Sequence, residues 1–471
     1  MKISLCMIVK NEEKHITKCL SSVKDYVDEI VIIDTGSTDS SKEIASRYTD
    51  RIYDFKWCND FAKARNFSLS KATNDWVLIL DADECVTNFN KKAIEQIMYS
   101  NDKIVGRLKR VNLFEDGNIV KKYIERVNRL FNKEYFQYEG IIHEQIISKN
   151  LNSYRIKPIN IEVLHNGYMD EVVKNTNKLD RNIELLKKAI KEHPQDPYLF
   201  YQMGKSYFMG KKYKVACKSF KDAIDRCKDF RFEYTEDLIE SYGYSLLKCE
   251  KYQEALDLEK YKIYYGKSPD YYFVMGLIYM NNAKFEKAIN TFNKCISDKE
   301  GKIEGINSYQ PNYNIGVIYE VLGLKQEAIK FYQRCEGFLD SRQRICSIEQ
   351  SEYEKICEKQ TYVKKLIQEG ELDEAEKIII NNINIYKDVE LYSIYAVIKI
   401  IQKDYYEAER ILKLAIAIDN QNVDILYNLA FLYQLTGRVN MALDFYKKVL
   451  PIVDNKELKA NIRNQIINLE Y

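Results

Sequence analysis

At 471 residues the chain exceeds one ordinary compact domain, and two or three hydrophobic cores are expected. Its 72 Lys and Arg against 70 Asp and Glu leave a net charge of +2, which removes any global electrostatic case for nucleic acid or an anionic membrane as partner. The 11 cysteines are scattered with no CxxC pair, and no apolar run approaches the roughly 20 residues needed to span a bilayer. Reduced thiols in a cytoplasmic chain with no membrane span are therefore expected, and MKISLCMIVKNEE is charged too early to be a secretory segment.

The chain opens with three short apolar runs, Ile3 to Val9, Glu29 to Ile33 and Trp76 to Leu80, each ended by polar turn residues. Helical spacing between them (Ile16, Cys19, Leu20 and Val23 within Lys14 to Val23, then Asp39 to Arg47) predicts buried parallel strands of an α/β domain. Ser37 or Asp39 can cap the second helix, and Asn59 or Asp60 can start a third in WCNDFAKARN, with Phe61 and Ala64 packing. Lysines and arginines around Lys103 to Arg110 form a local basic patch, for which a solvated edge strand or loop is the simpler reading.

From about Asp180 the pattern is helical and repeats. Gly204, Tyr207, Ala216, Phe220 and Ala223 set offsets that recur in Gly276, Tyr279, Ala288, Phe292 and Cys295, in Gly316, Tyr319, Ala328, Tyr332 and Cys335, and in Ala430, Tyr433, Ala442, Tyr446 and Val449. These small and aromatic positions are those of the tetratricopeptide repeat, whose period is about 34 residues. Units around Ala255, Ala375 and Ala408 are weaker, the step from Ala288 to Ala328 is longer than the period, and residues 336 to 360 read as a long helix or an irregular linker. The expected layout is an α/β domain over 1–168, a helical linker over 169–196 and a repeat solenoid over 197–471.

Chemistry gathers at the strand ends. Asp34 follows EIVII, and Asp81 and Asp83 form a D-x-D after WVLIL, where open parallel sheets collect ligands and a hard cation would relieve the repulsion of paired carboxylates. A D-x-D alone is weak, since acidic turn residues are common. TGSTDSS is first a helix-capping turn, though free N–H groups beside Asp34 also suit a ribose or phosphate. Arg65 is either a helix residue or a group facing the ligand.

CMIVKNEE, IVIIDTGSTD, WCNDFAKARN and WVLILDADE, in this order and spacing, closely resemble the family 2 glycosyltransferases of the GT-A fold, and the resemblance continues through RLF, HE and LHNGY to about Tyr168. It implies a Rossmann-like, mostly parallel sheet. The coupling to repeats also resembles bacterial peptide glycosyltransferases that modify cysteine or serine in bacteriocins, although those usually carry an N-terminal extension before the first strand. By this resemblance Val9, Asn11 and Glu12 line the nucleotide pocket, Asp34 binds base or ribose, and Arg65 sits near the nucleotide. Asp81 and Asp83 belong to the metal and diphosphate site, Asp83 being the more direct ligand of Mn²⁺ or Mg²⁺, and His165 completes the metal site or contacts the diphosphate. Glu144 is the leading acceptor-side base or positioning group, with Glu84 its competitor, while Arg129, Lys178 and Arg181 are weaker phosphate candidates.

The implied reaction is inverting transfer from a nucleotide sugar, expected to be a UDP-sugar. A polypeptide acceptor guided by the repeats ranks ahead of a lipid-linked or polysaccharide sugar. A repeat scaffold carrying a degenerate catalytic domain is the contrasting class, and homodimerisation stays open.

Overall fold

The computed structural model describes residues 1–100, 103–116, 119–150, 153–168, 176–386 and 388–470. It divides into two compact units, Met1–Ser341 and Arg342–Tyr471.

In the first unit the apolar runs become β1 (Ile3–Val9), β2 (Glu29–Asp34) and β4 (Trp76–Ile79), with the short β3 (Ile52–Asp54) at one edge. Helices α1 (Ile16–Val23), α2 (Ser41–Ser46) and α3 (Phe61–Lys71) connect them. Asp60 caps α3 by accepting from Lys63 N, whereas Asp39, just before α2, accepts from Ser41 N and Oγ. After β5 (Glu84–Phe89) and α4 (Lys91–Ser100) come three long strands, β6 (Ile104–Asp116), β7 (Ile119–Asn132) and β10 (Arg155–Tyr168), with a separate small pair, β8 (Phe136–Glu139) and β9 (Gln145–Ser148), before β10.

The large sheet has the order β3-β2-β1-β4-β7-β6-β10-β5. Pairings β3/β2, β2/β1, β1/β4 and β6/β10 are parallel; β4/β7, β7/β6 and β10/β5 are antiparallel. One face packs Leu5, Met7, Leu78 and Val163 with Leu20 of α1 and Ile94 of α4, the other packs Ile33, Ile79 and Phe131 with Ala62 and Leu69 of α3 and Phe136 of β8. The parallel strands are thus apolar on both faces, as the sequence requires.

The basic stretch Lys103 to Arg110 is neither a solvated edge nor a loop. From Ile104 on it belongs to β6 in the interior of the sheet, and Arg107 and Lys109 are answered from the repeats, whereas Arg110 turns to Glu84 and Glu125. Arg107 pairs with Glu233 at 2.5 Å and Lys109 with Glu300 at 2.7 Å, while Lys122 and Arg126 of β7 meet Glu304 and Glu300. Beyond its contact with the short β4, β7 has a free edge, and the connection near residue 303 covers it. Ile124 N donates to Lys302 O at 2.6 Å, and Glu304 N to Lys122 O at 3.0 Å. The lengthened step between Ala288 and Ala328 therefore supplies a strand-like segment that an ordinary repeat connection lacks.

The described part of the expected linker is α5 (Thr176–Glu192), whose Ile183, Leu186 and Ala189 pack with Ile142 of the α/β domain and with Leu199 and Met203 of the first repeat helix, α6 (Pro197–Met209). The compact unit accordingly runs on through α7 (Tyr213–Arg226), α8 (Glu233–Lys248), the short α9 (Tyr252–Ala255) and α10 (Lys262–Tyr265), then α11 (Pro269–Asn281), α12 (Phe285–Cys295), α13 (Tyr309–Val321) and α14 (Lys325–Gln333). The repeat signature has a steric cause. A Cβ on Gly204, Gly276 or Gly316 would come within 2.4 to 2.5 Å of the rings of Phe220, Phe292 and Tyr332, which lie sixteen residues later on the paired helix.

Residues 336 to 360 resolve as most of one long helix, α15 (Leu339–Glu369). The second unit continues with α16 (Leu372–Tyr386), α17 (Val389–Ile401), α18 (Tyr405–Ile418), α19 (Val423–Leu435), α20 (Val439–Val449) and α21 (Lys456–Glu470). Ala375, Ala408, Ala430 and Ala442 are fully buried at its helix contacts. No described helix is long and apolar enough to cross a membrane.

Candidate active site

The first polar node lies beyond β1 and β2. Val9 is buried, and its carbonyl accepts from Thr35 N at 2.9 Å and Thr35 Oγ1 at 3.0 Å. The chain turns at Asn11, in left-handed conformation with φ 57°, which asparagine tolerates. Asn11 Oδ1 accepts from Thr38 N at 2.8 Å, Asn11 N donates to Ser37 Oγ, and Glu12 N donates to Ser41 Oγ. The KNEE and TGSTDS segments thus hold each other open. Asp34 is 3% exposed, and its Oδ1 accepts from Gly36 N at 2.9 Å and Ser37 N at 3.0 Å. That turn needs Gly36, whose φ is 103°. Asp34 Oδ2 is buried and meets no donor among the described residues. A buried carboxylate oxygen in that condition is costly unless a ligand donor completes it, and a ribose hydroxyl or base N–H has the required chemistry.

The second node is an alternation of arginines and carboxylates. Arg65, on the buried side of α3, donates from Nε to Glu144 Oε1 at 2.5 Å and from Nη2 to Asp81 Oδ1 at 2.9 Å. Its guanidinium lies over the Tyr138 ring at 5.6 Å, and Nη1 is buried without a partner among the described residues. Arg129 Nη2 donates to Asp81 Oδ2 at 2.7 Å and more distantly to Glu84. Burial would raise the Asp81 carboxyl, but Arg129 and Arg65 hold it well below the usual carboxylate range. Glu84 is fully buried; Arg110 Nη1 donates to Oε1 at 3.0 Å and Asp81 N to Oε2 at 2.9 Å.

At the third node Asp83 Oδ2 and His165 Nε2 are 3.2 Å apart, and His165 Nδ1 is 2.8 Å from Asn112 Oδ1. Among the described residues no group of three or more His, Cys, Asp or Glu is assembled to hold a metal. A carboxylate and an imidazole nitrogen facing one another nevertheless fit a cation whose remaining positions go to phosphate oxygens and water.

Of the three expected metal ligands, then, Asp83 and His165 face each other, while both oxygens of Asp81 are held by guanidinium groups. Arg65 joins Asp81 to Glu144, which links the expected nucleotide side to the expected acceptor side. Glu84 has no access to an acceptor. Arg129 is spent on Asp81 and Glu84; Arg181 stacks over Phe61 at 5.6 Å, and burial lowers its guanidinium from the ordinary range. The side chain of Lys178 lies outside the described residues.

Arg110, Asn112, Glu125 and Tyr138 were not foreseen. They lie on β6, β7 and β8, where charged and apolar residues alternate and no local motif marks a site; only the recognition of those segments as sheet strands would have aimed them inward.

Residues 4–150 match Glycosyl transferase family 2, and residues 198–229, 269–297, 309–337 and 399–462 match tetratricopeptide repeats, where the four strong units of the sequence pattern lie. The chain is 30% identical over 241 residues to the SPbeta prophage-derived glycosyltransferase SunS of Bacillus subtilis, covering 48% of this chain and 54% of that protein. It is also 30% identical over 217 residues to a TPR repeat-containing protein of Synechococcus elongatus, covering 43% and 51% respectively. An uncharacterized glycosyltransferase of Rickettsia typhi is 29% identical over 147 residues, covering 30% of this chain and 50% of that one. The chain spans about half the length of these curated relatives. Its N-terminal domain belongs to family 2 of the glycosyltransferases, and tetratricopeptide repeats follow it.

Proposed function

We propose that the chain is an inverting, metal-dependent glycosyltransferase that moves a sugar from a nucleotide sugar, in the first instance a UDP-sugar, to a cysteine, serine or threonine of a polypeptide. The observation that carries the donor half is the facing pair Asp83 Oδ2 and His165 Nε2, 3.2 Å apart. Asp83 and His165 would hold Mn²⁺ or Mg²⁺, which supplies neutralisation of the charge that develops on the departing diphosphate. Asp34 Oδ2 takes a hydrogen bond from base or ribose, with Val9, Asn11 and Glu12 flanking it. Arg65 Nη1 is available to a diphosphate oxygen. The acceptor atom attacks the anomeric carbon opposite the leaving group, and its proton passes to Glu144. Arg65 Nε holds that carboxylate at 2.5 Å, and a thiol acceptor, whose ordinary pKa is about 8.5, gives up its proton more readily than a hydroxyl.

The polypeptide acceptor is supported by the chain around Glu144. Gln145 Nε2 donates to Tyr198 OH of the first repeat helix at 2.9 Å, and Ile142 packs against Leu199 and Met203. An acceptor led along the first repeats therefore arrives beside Glu144. Full-length protein incubated with a panel of UDP-sugars and candidate peptides, with and without Mn²⁺, tests the reading by product mass. A mass increase of one hexose or N-acetylhexosamine that requires Mn²⁺ is expected; absence of both transfer and metal-dependent UDP binding overturns it.

A further inference from the structure

The hydrogen bonds around His165 leave little freedom in where its protons sit. Asn112 is fully buried, and its Nδ2 donates to Glu125 Oε1 at 2.9 Å and to Tyr123 O at 3.2 Å. Turning the amide over would aim Oδ1 at those two acceptors, so Oδ1 must be the atom that faces His165 Nδ1 at 2.8 Å. Glu125 cannot yield on its side, because Arg110 holds Oε1 through Nε at 2.8 Å and Nη2 at 2.7 Å. Against the upward push of burial, Arg110 and Asn112 keep the Glu125 carboxyl below its ordinary range and therefore an acceptor. Tyr123 is anchored in turn by its hydroxyl, 3.1 Å from Asp237 Oδ1 on α8, and Asp237 Oδ2 accepts from Tyr201 OH and Lys205 Nζ, each at 2.7 Å.

Nδ1 of His165 consequently carries a proton whatever occupies the other side of the ring. Nε2 is left facing Asp83 Oδ2, where a proton or a cation between the two satisfies both. We infer that Asn112 is a positioning residue that fixes the Nδ1–H form of His165 and aims Nε2, together with Asp83, at one divalent cation. This rests on the metal reading above, but the placement of the proton does not. Partners that orient a metal-binding imidazole in this way are worth about 10- to 100-fold in metal affinity.

The experiment uses full-length protein with ¹⁵N-labelled histidine. Only four histidines are present, and the His165→Gln variant identifies the signal of interest. In wild type, with and without Mg²⁺, one Nδ1–H resonance protected from exchange is expected and should vanish in His165→Gln. Asn112→Leu should abolish that protection and weaken Mn²⁺ binding in the presence of UDP about 10- to 100-fold by calorimetry. Asn112→Gln, which keeps an amide oxygen for Nδ1 and an amide donor for Glu125, should keep the protected proton and recover most of the affinity; Asn112→Ala, with the same losses expected and the same overturning results as the leucine variant, takes its place if that variant fails to fold by circular dichroism. A protected Nδ1–H that persists in Asn112→Leu, or an unchanged Mn²⁺ affinity in that variant, overturns the role of Asn112. Wild type that shows the protected proton yet binds no Mn²⁺ overturns the metal site instead.

Discussion

The two carboxylates of Asp81-Ala82-Asp83 meet different partners, and their substitutions should separate accordingly. Removing Asp81 leaves Arg65 and Arg129, less than a tenth exposed, facing each other without their shared counter-charge. Asp81→Ala should therefore cost about 3 kcal/mol of stability, seen as a lower urea midpoint. Asp83→Ala should keep the wild-type midpoint while transfer falls about 100-fold or more; retention of full activity by that variant would show that the cation is held elsewhere. His143 offers a third test. Burial holds its imidazole below the ordinary range against the opposing pull of Glu144, and its backbone sits at φ 51°. The unfolded chain takes up the proton first, near pH about 6.5, so stability falls as pH drops below that value. His143→Asn, which tolerates the left-handed backbone, should flatten that fall in melting temperature between about pH 7.5 and 5.5.

At the scale of helices and strands, a glycine on one helix and an aromatic ring on its partner make a single packing unit. Gly276→Ala would place a methyl 2.5 Å from the Phe292 ring, which is itself fully buried and cannot retreat. A loss of about 1–3 kcal/mol is expected, and calorimetry should show recovery when Phe292 is shortened to Leu in the same chain. This unit was legible in the sequence because both partners recur at fixed spacing. The parallel strands were legible too, since Leu5, Met7, Val31, Ile33 and Val77 are buried and must be apolar. The strands β6, β7 and β10 were not. Polar residues of β6 and β7 are answered by Glu233, Glu300 and Glu304, more than a hundred residues away, and no local pattern announces a partner at that distance. The same limit hid part of the site. Asp34, Asp81, Asp83 and Glu144 stand in motifs, whereas Arg110, Asn112 and Glu125 sit on those unread strands.

Across the whole molecule, the first unit is held together at Lys302. Its Nζ donates to Glu240 Oε2 at 2.8 Å and Oε1 at 3.0 Å, and its backbone N donates to Asp270 Oδ1 at 2.9 Å. Although burial works against it, Glu240 and Asp237 keep the ammonium above the ordinary lysine range. Lys302→Met would leave Glu240 buried without its cation, a cost of about 3–5 kcal/mol. Hydrogen exchange should show the Ile124 and Glu304 amides losing protection together in that variant; independent loss would mean that the repeat segment and β7 are not joined through this point.

The strand-like segment at 302–304 also sets an order of events during synthesis. Tyr123 pairs with Ile303 about 180 residues later, so the open side of β7 emerges well before the chain that covers it. At roughly 5–20 residues per second the interval is about 10–35 s, during which unpaired backbone is offered to any neighbouring nascent chain. A fragment ending after the α/β domain would carry that open side permanently and should associate edge to edge.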